Sequence, residues 1–214
     1  MDYRTIYQGG TGEIVEKKSR FIAQVFPVES EEEATLHLGE IKKEYWDARH
    51  HCWAYTIGEE QVQERFSDDG EPGGTAGKPI LDVIRSHGLH NALIVVTRYF
   101  GGTLLGTGGL VRAYTQSAQA GLAASAIITK IDGYKIKIKT DYSALGKIQY
   151  LLAKRTLPVV ESDYTDSVTL TTLIPAGDEK SLITALTEST NGQAEITRGC
   201  ACRFAYHQGE AVLF

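Results

Sequence analysis

The stretch NALIVVTRYFGGTLLGTGGLVRAYTQSAQAGLAASA, residues 91–126, carries the strongest structural signals of the chain. Its unbroken apolar run, 92–96, is typical of a central strand that is buried on both faces. A glycine-rich turn follows, with Gly101, Gly102, Gly106, Gly108 and Gly109. Residues 110–126 are rich in Ala and Ser, which predicts a helix that packs closely on a sheet. The stretch therefore predicts the central strand, turn and helix of an α+β domain.

Residues on the amino-terminal side of this stretch complete the domain. Ser30, with Glu33 three positions later, forms a capping box at the start of a helix with an apolar stripe. Residues 67–77 are rich in glycine and predict a loop. We predict strands at 11–16, 20–28, 51–57 and 62–66, and helices at 31–45 and 78–87.

A second pattern begins near residue 130. We predict, in order, a strand at 134–140, a helix at 143–154, strands at 158–164 and 167–174, a helix at 178–189 and a strand at 194–205. This βαββαβ order is that of ferredoxin-like domains. The sequence thus predicts two α+β domains, at 1–130 and 131–206, followed by a tail at 207–214.

The bulk composition limits the classes of function. The chain has 214 residues and a net charge of −5, with 13 basic and 17 acidic residues in 1–130, and 9 and 10 after that. Neither half is basic, so any RNA contact must come from a local basic patch. The odd count of three cysteines fits a reducing compartment. Because Met1–Arg4 has no apolar signal segment and no run approaches a membrane span, we expect a cytoplasmic protein with no membrane partner.

The glycine-rich turn has the chemistry of an anion site. Glycines let backbone amides approach a ligand, and the start of the following helix presents free N–H groups and a favourable dipole. Arg98, Arg112 and Lys78 would add donors to a phosphate. The spacing matches neither GxGxxG nor the Walker A pattern, so no nucleotide motif is indicated. The alternative is that the glycines serve only the geometry of a tight connection.

The acidic loop allows three interpretations. Asp68, Asp69 and Glu71 offer the oxygen ligands that a hard cation prefers. His50 beside Asp69 and Glu71 is a candidate for acid–base catalysis. Alternatively, Asp68 and Asp69 cap turns and the next helix, which is a common role of Asp in loops. We predict no bound cofactor.

The cysteines are weak candidates for nucleophiles. Cys52 lies in an apolar strand and is expected to pack rather than react. Cys200 and Cys202 are two apart in a predicted strand, which suits neither CxxC redox chemistry nor a zinc knuckle. We expect them to be small buried residues on one side of the strand.

Three lysines alternate with isoleucines in the first strand of the second domain. A period of two directs Ile136 and Ile138 into the core and places Lys135, Lys137 and Lys139 on the opposite sheet face. The lysines form either a basic stripe that contacts RNA backbone or a solvated face that discourages edge pairing.

Two long motifs resemble a known family. Residues 69–79, DGEPGGTAGKP, and residues 98–114, RYFGGTLLGTGGLVRAY, are similar to the IMPACT family, as is RHHCWA at 49–54. The similarity is strongest to its bacterial members of the YigZ and YvyE type and extends to residue 205. It implies a first domain with the βαβ superfold of elongation factor G domain IV, and a second with the ferredoxin-like fold of its domain V.

The same resemblance implies a role in translation. Eukaryotic relatives regulate translation under amino-acid stress, and nucleic-acid or ribosome binding is the usual suggestion for bacterial members. We expect a translation-associated regulator that binds RNA, a ribosome or a translation factor, without DNA specificity, as a monomer or weak oligomer. Two rivals remain. One is a phosphoryl-transfer enzyme or hydrolase that uses His50, Asp69 and Glu71 in a glycine-rich cleft, and the other is a protein-interaction module without RNA contact.

Overall fold

The computed structural model describes residues 2–214 and divides into two compact units, one of residues 3–128 and one of residue 2 with 129–214. Both are α+β, as predicted. The strands are β1 (Tyr3–Gln8), β2 (Thr11–Glu16), β3 (Ser19–Pro27), β4 (His50–Ile57), β5 (Gln63–Ser67), β6 (Ala92–Tyr99), β7 (Ala126–Thr140), β8 (Val159–Tyr164), β9 (Val168–Pro175), β10 (Glu195–His207) and β11 (Glu210–Leu213). The helices are α1 (Glu31–Glu44), α2 (Gly77–Ser86), α3 (Gly106–Ala123), α4 (Tyr142–Lys154) and α5 (Glu179–Ser189).

The first unit is built on a five-stranded sheet of order β2-β3-β6-β4-β5, antiparallel throughout. The apolar strand β6 is central, as its sequence predicts. Ile94 and Val96 lie in a core shared with α2 and α3, whereas Leu93 and Val95 lie in a second core under α1. Because helices cover both faces, the strand is continuously apolar although its neighbours are antiparallel.

The helices of this unit begin and pack as their sequences indicate. Ser30 Oγ accepts a hydrogen bond from the Glu33 amide at 3.2 Å, which confirms the predicted cap of α1. On α3, a Cβ added to Gly121 would lie 3.0 Å from the side chains of Ala23 and Val25. The small residues of α3 therefore let it approach the sheet closely, as predicted.

The second unit shows the predicted βαββαβ order with β11 added at one edge. Its sheet has the order β11-β10-β7-β9-β8 and is antiparallel. Ile136 and Ile138 are fully buried in a core with Ile148 of α4 and Leu182 of α5. Asp141 caps α4 by accepting from the Ala144 amide at 2.9 Å.

Several elements differ from the sequence-based expectation. Strand β1 was not predicted, α3 begins at Gly106 rather than 110, and residues 207–214, predicted as a tail, contain β11. The predicted boundary near 129–133 lies next to the division between the units at 128 and 129, and both positions fall inside the continuous strand β7. Among residues 2–214, no helix is long and apolar enough to cross a bilayer.

The expectation for Cys200 and Cys202 is wrong. Cys200 is exposed and Cys202 is only half-buried. The pairing of β10 with β7 shifts register between Arg198 and Ala201, so the alternation assumed for a regular strand is interrupted at these residues.

Candidate functional site

A cleft of about 410 Å³ opens in the first unit where the end of β6 meets the start of β4. Antiparallel pairing places His50 of β4 directly opposite Arg98 of β6. The acidic loop contributes Glu71 to the same cleft, and the glycine-rich turn contributes Phe100 and Leu104. Segments that are far apart in sequence are therefore brought together on one surface.

A buried ion pair lies at the cleft. Arg98 Nη1 is 2.6 Å from Glu71 Oε1, and the two side chains are only 7% and 4% exposed. The Tyr114 hydroxyl donates to the same Glu71 oxygen at 2.8 Å. The Arg98 guanidinium also lies 5.3 Å from the ring centroid of Phe21 and 5.7 Å from that of Phe100. Arg98 is thus fixed in place with its charge compensated.

The cysteine next to this pair is inert. Cys52 Sγ lies 3.0 Å from the Asp68 carbonyl oxygen and 3.3 Å from the Tyr114 hydroxyl oxygen. Burial raises the pKa of the Cys52 thiol well above its usual range, and burial raises the pKa of Tyr114 as well. Both groups therefore remain protonated, and the prediction that Cys52 packs is confirmed.

The acidic loop uses its aspartates for internal structure. The Asp68 carboxylate accepts hydrogen bonds from the amides of Gly74 (2.8 Å), Ala76 (3.0 Å) and Gly77 (2.8 Å), and so caps the start of α2. The Asp69 carboxylate accepts from the His51 amide at 2.7 Å. Within residues 2–214, no group of three or more His, Cys, Asp or Glu side chains is arranged to hold a metal ion. The Asp68 carboxylate thus caps α2, the Asp69 carboxylate binds the His51 amide, and the Glu71 carboxylate pairs with Arg98.

His50 lines the cleft, and its imidazole is held by a carbonyl of the acidic loop. Its Nδ1 lies 2.8 Å from the carbonyl oxygen of Asp69. A carbonyl only accepts, so Nδ1 carries a proton, and the neutral ring keeps a lone pair on Nε2. Of the three candidate catalytic residues, His50 and Glu71 line the cleft, whereas Asp69 orients the imidazole through its backbone.

The glycine-rich turn combines an open helix start with tight backbone packing. Gly106 and Thr107, in the first turn of α3, line the cleft. Leu105 is the N-cap residue, and in the part of the chain that the structure describes no side chain caps this helix. The first amides of a helix have no intrahelical partner, so an anion is favoured there. Gly101 instead allows close backbone packing, because a Cβ on it would lie 2.0 Å from the carbonyl carbon of Lys18.

The other predicted glycines differ in backbone conformation and in position. Gly102 has a φ of +85° and Gly106 a φ of +72°, which glycine adopts without strain. Gly108 is exposed in the first turn of α3. Gly109 borders a separate small depression together with Arg112 and Glu16.

The predicted cations do not converge on the cleft. Only Arg98 lines it, whereas Lys78 is paired with Asp82 on α2 at 3.2 Å, and Arg112 borders the depression with Gly109. Of the three phosphate donors predicted in this unit, the structure therefore brings only Arg98 to the cleft.

The lysine stripe lies in the second unit and carries counter-charges. The isoleucines are buried as predicted, and Lys137 and Lys139 are exposed. Lys135 lies 3.8 Å from Glu161, and Lys139 is paired in register with Glu195. Acidic side chains thus neutralise part of the stripe, which favours the solvated-face interpretation.

Three cleft residues lie in motifs that the sequence singled out, but they were not chosen as site residues. Arg49 is exposed and has no hydrogen-bond or ion-pair partner among residues 2–214. Phe100 is 50% exposed and Leu104 is 83% exposed. The sequence signal for Phe100 and Leu104 was their position in a glycine-rich turn. A turn does not need large apolar side chains for its own packing, so such residues indicate a contact surface.

Comparison with known proteins identifies the family. The Impact N-terminal domain matches residues 17–122, and a domain of unknown function matches residues 138–193. The chain is 39% identical over 197 residues to IMPACT family member YvyE of Bacillus subtilis (strain 168), which covers 92% of this chain and 91% of the relative. It is 36% identical over 182 residues to IMPACT family member YigZ of Escherichia coli (strain K12), covering 84% and 89%.

A solved structure supports the same relationship. It is described only as that of a hypothetical protein, and it matches with a TM-score of 0.59 at 34% identity over 91% of this chain and 96% of the other. Its similarity extends over both α+β units. The chain therefore belongs to the IMPACT family.

Proposed function

We propose that this IMPACT family protein is a translation-associated regulator that binds RNA, free or within a ribosome, through the cleft of its first unit. One observation carries the proposal. The cleft places the start of α3, with its free amides, beside the exposed cation Arg49 and the exposed apolar side chains Phe100 and Leu104.

Each part of the cleft suits one part of a nucleotide. The start of α3 favours a phosphate, and Arg49 adds a charge that is not already neutralised. The face of Phe100 offers a stacking surface, and stacking on aromatic side chains requires a base that is free of its neighbours. The cleft therefore fits single-stranded RNA better than a duplex, whose bases are stacked and whose major groove is narrow.

Family resemblance supports the biological setting. The resemblance to eukaryotic relatives implies a role in the regulation of translation, and it relates the two predicted domains, at 1–130 and 131–206, to domains IV and V of elongation factor G. The βαββαβ order of the second unit supports the domain V relationship. We propose a cytoplasmic protein that acts on the translation machinery as a monomer or weak oligomer.

Fluorescence anisotropy with a labelled oligouridylate, and with purified ribosomal subunits as competitors, tests the proposal. Wild-type protein should bind, and affinity should fall steeply with salt because phosphate contacts release counterions. Arg49→Gln and Phe100→Ala should each weaken binding about tenfold, since stacking and charge contacts contribute roughly 1–3 kcal/mol each. Lys43→Gln, which removes an exposed lysine from α1, is the control.

Two results would contradict RNA binding. One is the absence of binding to the oligouridylate and to ribosomal subunits, and the other is an affinity that does not depend on salt. A pull-down of ribosomal proteins that survives nuclease treatment would instead favour the protein-interaction module.

The geometry of His50 favours a second candidate, a hydrolase or phosphoryl-transfer enzyme. The imidazole is oriented by the Asp69 carbonyl and shares the cleft with Glu71. His50→Gln should then abolish turnover of a phosphoester or nucleotide panel while the far-UV circular dichroism spectrum stays unchanged. Wild-type protein without turnover on that panel would rule this candidate out.

A further inference from the structure

The hairpin between β2 and β3 closes with an unusual turn. Glu16 pairs with Ser19, so the loop consists of Lys17 and Lys18 alone. Both have positive φ values, +45° and +67°. Two-residue turns of this kind favour Asn-Gly, because most side chains disfavour a left-handed backbone. The requirements of the turn therefore do not explain the choice of two lysines.

These lysines are exposed and have one acidic neighbour in the turn, Glu16. Neither lysine has a hydrogen-bond or ion-pair partner within the described range 2–214. The neighbouring cations of the unit are compensated, since Arg20 is paired with Glu13 and Arg98 with Glu71. The two lysines outnumber Glu16, so the turn carries a net positive charge on an acidic protein.

The turn is held firmly beside the glycine-rich segment of the cleft. Ser19 is fully buried, and its hydroxyl accepts a hydrogen bond from the Gly101 amide at 3.1 Å. Gly101 lies so close to the Lys18 backbone that it has no room for a Cβ. Gly101 follows Phe100 directly, so the two lysines stand next to the segment that lines the cleft.

We infer that Lys17 and Lys18 form a phosphate-contacting element that holds the backbone of a single-stranded RNA as it enters the cleft. The inference rests on the proposed function and adds residues to that same site. Because the backbone of the turn is held by Ser19 and Gly101, only the lysine side chains have to become ordered when they contact a phosphate. Arg112, exposed on α3 and also unpaired among the described residues, would extend the contact along the strand. Contacts to phosphates fix position without reading the base sequence.

Replacement of the turn by its favoured sequence separates binding from folding. In Lys17→Asn/Lys18→Gly the charges are lost while the turn becomes easier to form, so the melting temperature should stay equal or rise. Affinity for a labelled oligouridylate should fall about tenfold at low salt, and the slope of log affinity against log salt should shrink by about 1.4, or about 0.7 for each lost contact. Lys17→Arg/Lys18→Arg should retain wild-type binding.

The matched control is Lys43→Gln/Lys147→Gln, which removes the same net charge from exposed helical positions. Its affinity and salt slope should equal those of the wild type. The inference is overturned, and RNA binding is retained, when Lys17→Asn/Lys18→Gly keeps the wild-type salt slope or when the control loses as much affinity as that variant. A wild-type protein that does not bind RNA overturns both the inference and the proposed function.

Discussion

Glu71 belongs to a glycine-rich loop, yet its carboxylate is almost completely buried. It compensates the charge of Arg98 and accepts a hydrogen bond from the Tyr114 hydroxyl. That hydroxyl in turn lies against the thiol of Cys52. The loop is therefore joined to the sheet and to α3 through one side chain. Such an arrangement makes the cleft rigid, because each member fixes the position of the next.

Removal of the Glu71 charge should strongly destabilise the first unit. Glu71→Gln leaves Arg98 buried without a counter-ion, and loss of one partner of a buried pair costs about 3–5 kcal/mol. Urea denaturation followed by tryptophan fluorescence measures the loss. Glu13→Gln breaks the exposed pair with Arg20 and should change stability little. Equal stabilities of the two variants would contradict the role of Glu71.

His51 should make the stability of the protein depend on pH. Its ring is buried, with Nδ1 3.1 Å from Thr97 Oγ1, and burial lowers the pKa of His51, an effect that Lys42 and His50 reinforce and Asp69 opposes. The unfolded chain therefore binds a proton at a higher pH than the folded one, so stability falls as pH drops below the ordinary histidine value.

The measurement is denaturation between about pH 7 and pH 5. His51→Gln keeps a polar side chain near Thr97 and removes the titration. The variant should lose less stability than the wild type over this range, although it is less stable at pH 7. Parallel stability curves would show that His51 does not titrate in this range.

At the scale of elements, α2 depends on a cap that comes from the loop before it. The Asp68 carboxylate holds three amides at the start of the helix. Asp68→Ala should cost about 1–2 kcal/mol and should speed hydrogen exchange at the Gly74, Ala76 and Gly77 amides. Asp82→Ala, on the exposed face of α2, should leave those amides protected.

The elements show what sequence patterns reveal and what they miss. The apolar run of β6 and the alternation around Ile136 were predicted correctly. In a strand, the order of apolar and polar residues directly reflects which faces are buried. The start of α3 was placed at 110, because glycines at 106, 108 and 109 have low helix propensity. Tertiary packing of α3 on the sheet overrides that propensity.

The candidate site was only partly predictable. Motifs identified His50, Glu71 and Arg98, because these residue types have evident chemistry. Their pairing was not predictable, since the contact between Glu71 and Arg98 depends on the path of a loop through space. Arg49 and Phe100 lie in the same motifs but were not chosen as site residues, because their exposure, rather than their residue type, makes them notable.

At the scale of the whole molecule, each unit has its own core. Both tryptophans, Trp46 and Trp53, lie in the unit of residues 3–128, so tryptophan fluorescence reports on that unit. Ile148 is fully buried in the core of the other unit. The two units can therefore be followed by different signals.

Ile148→Ala should destabilise the second unit by about 2–5 kcal/mol. Far-UV circular dichroism should then show an early unfolding phase, while the tryptophan transition stays at the wild-type denaturant concentration. Val95→Ala, in a core of the first unit, should move the tryptophan transition instead. A single transition that shifts identically with both probes would show that the chain unfolds as one cooperative body.

The sealed thiol of Cys52 gives the protein a natural chemical reporter. Aromatic disulfide reagents attack thiolates, and Cys52 is both shielded from solvent and kept protonated. In native protein the reagent should titrate the exposed Cys200 first and the half-buried Cys202, whose pKa is raised by burial, more slowly, and it should leave Cys52 unmodified. A third equivalent should be consumed only as fast as the first unit opens, so its rate gives the opening frequency of the region around the cleft without any mutation or attached dye.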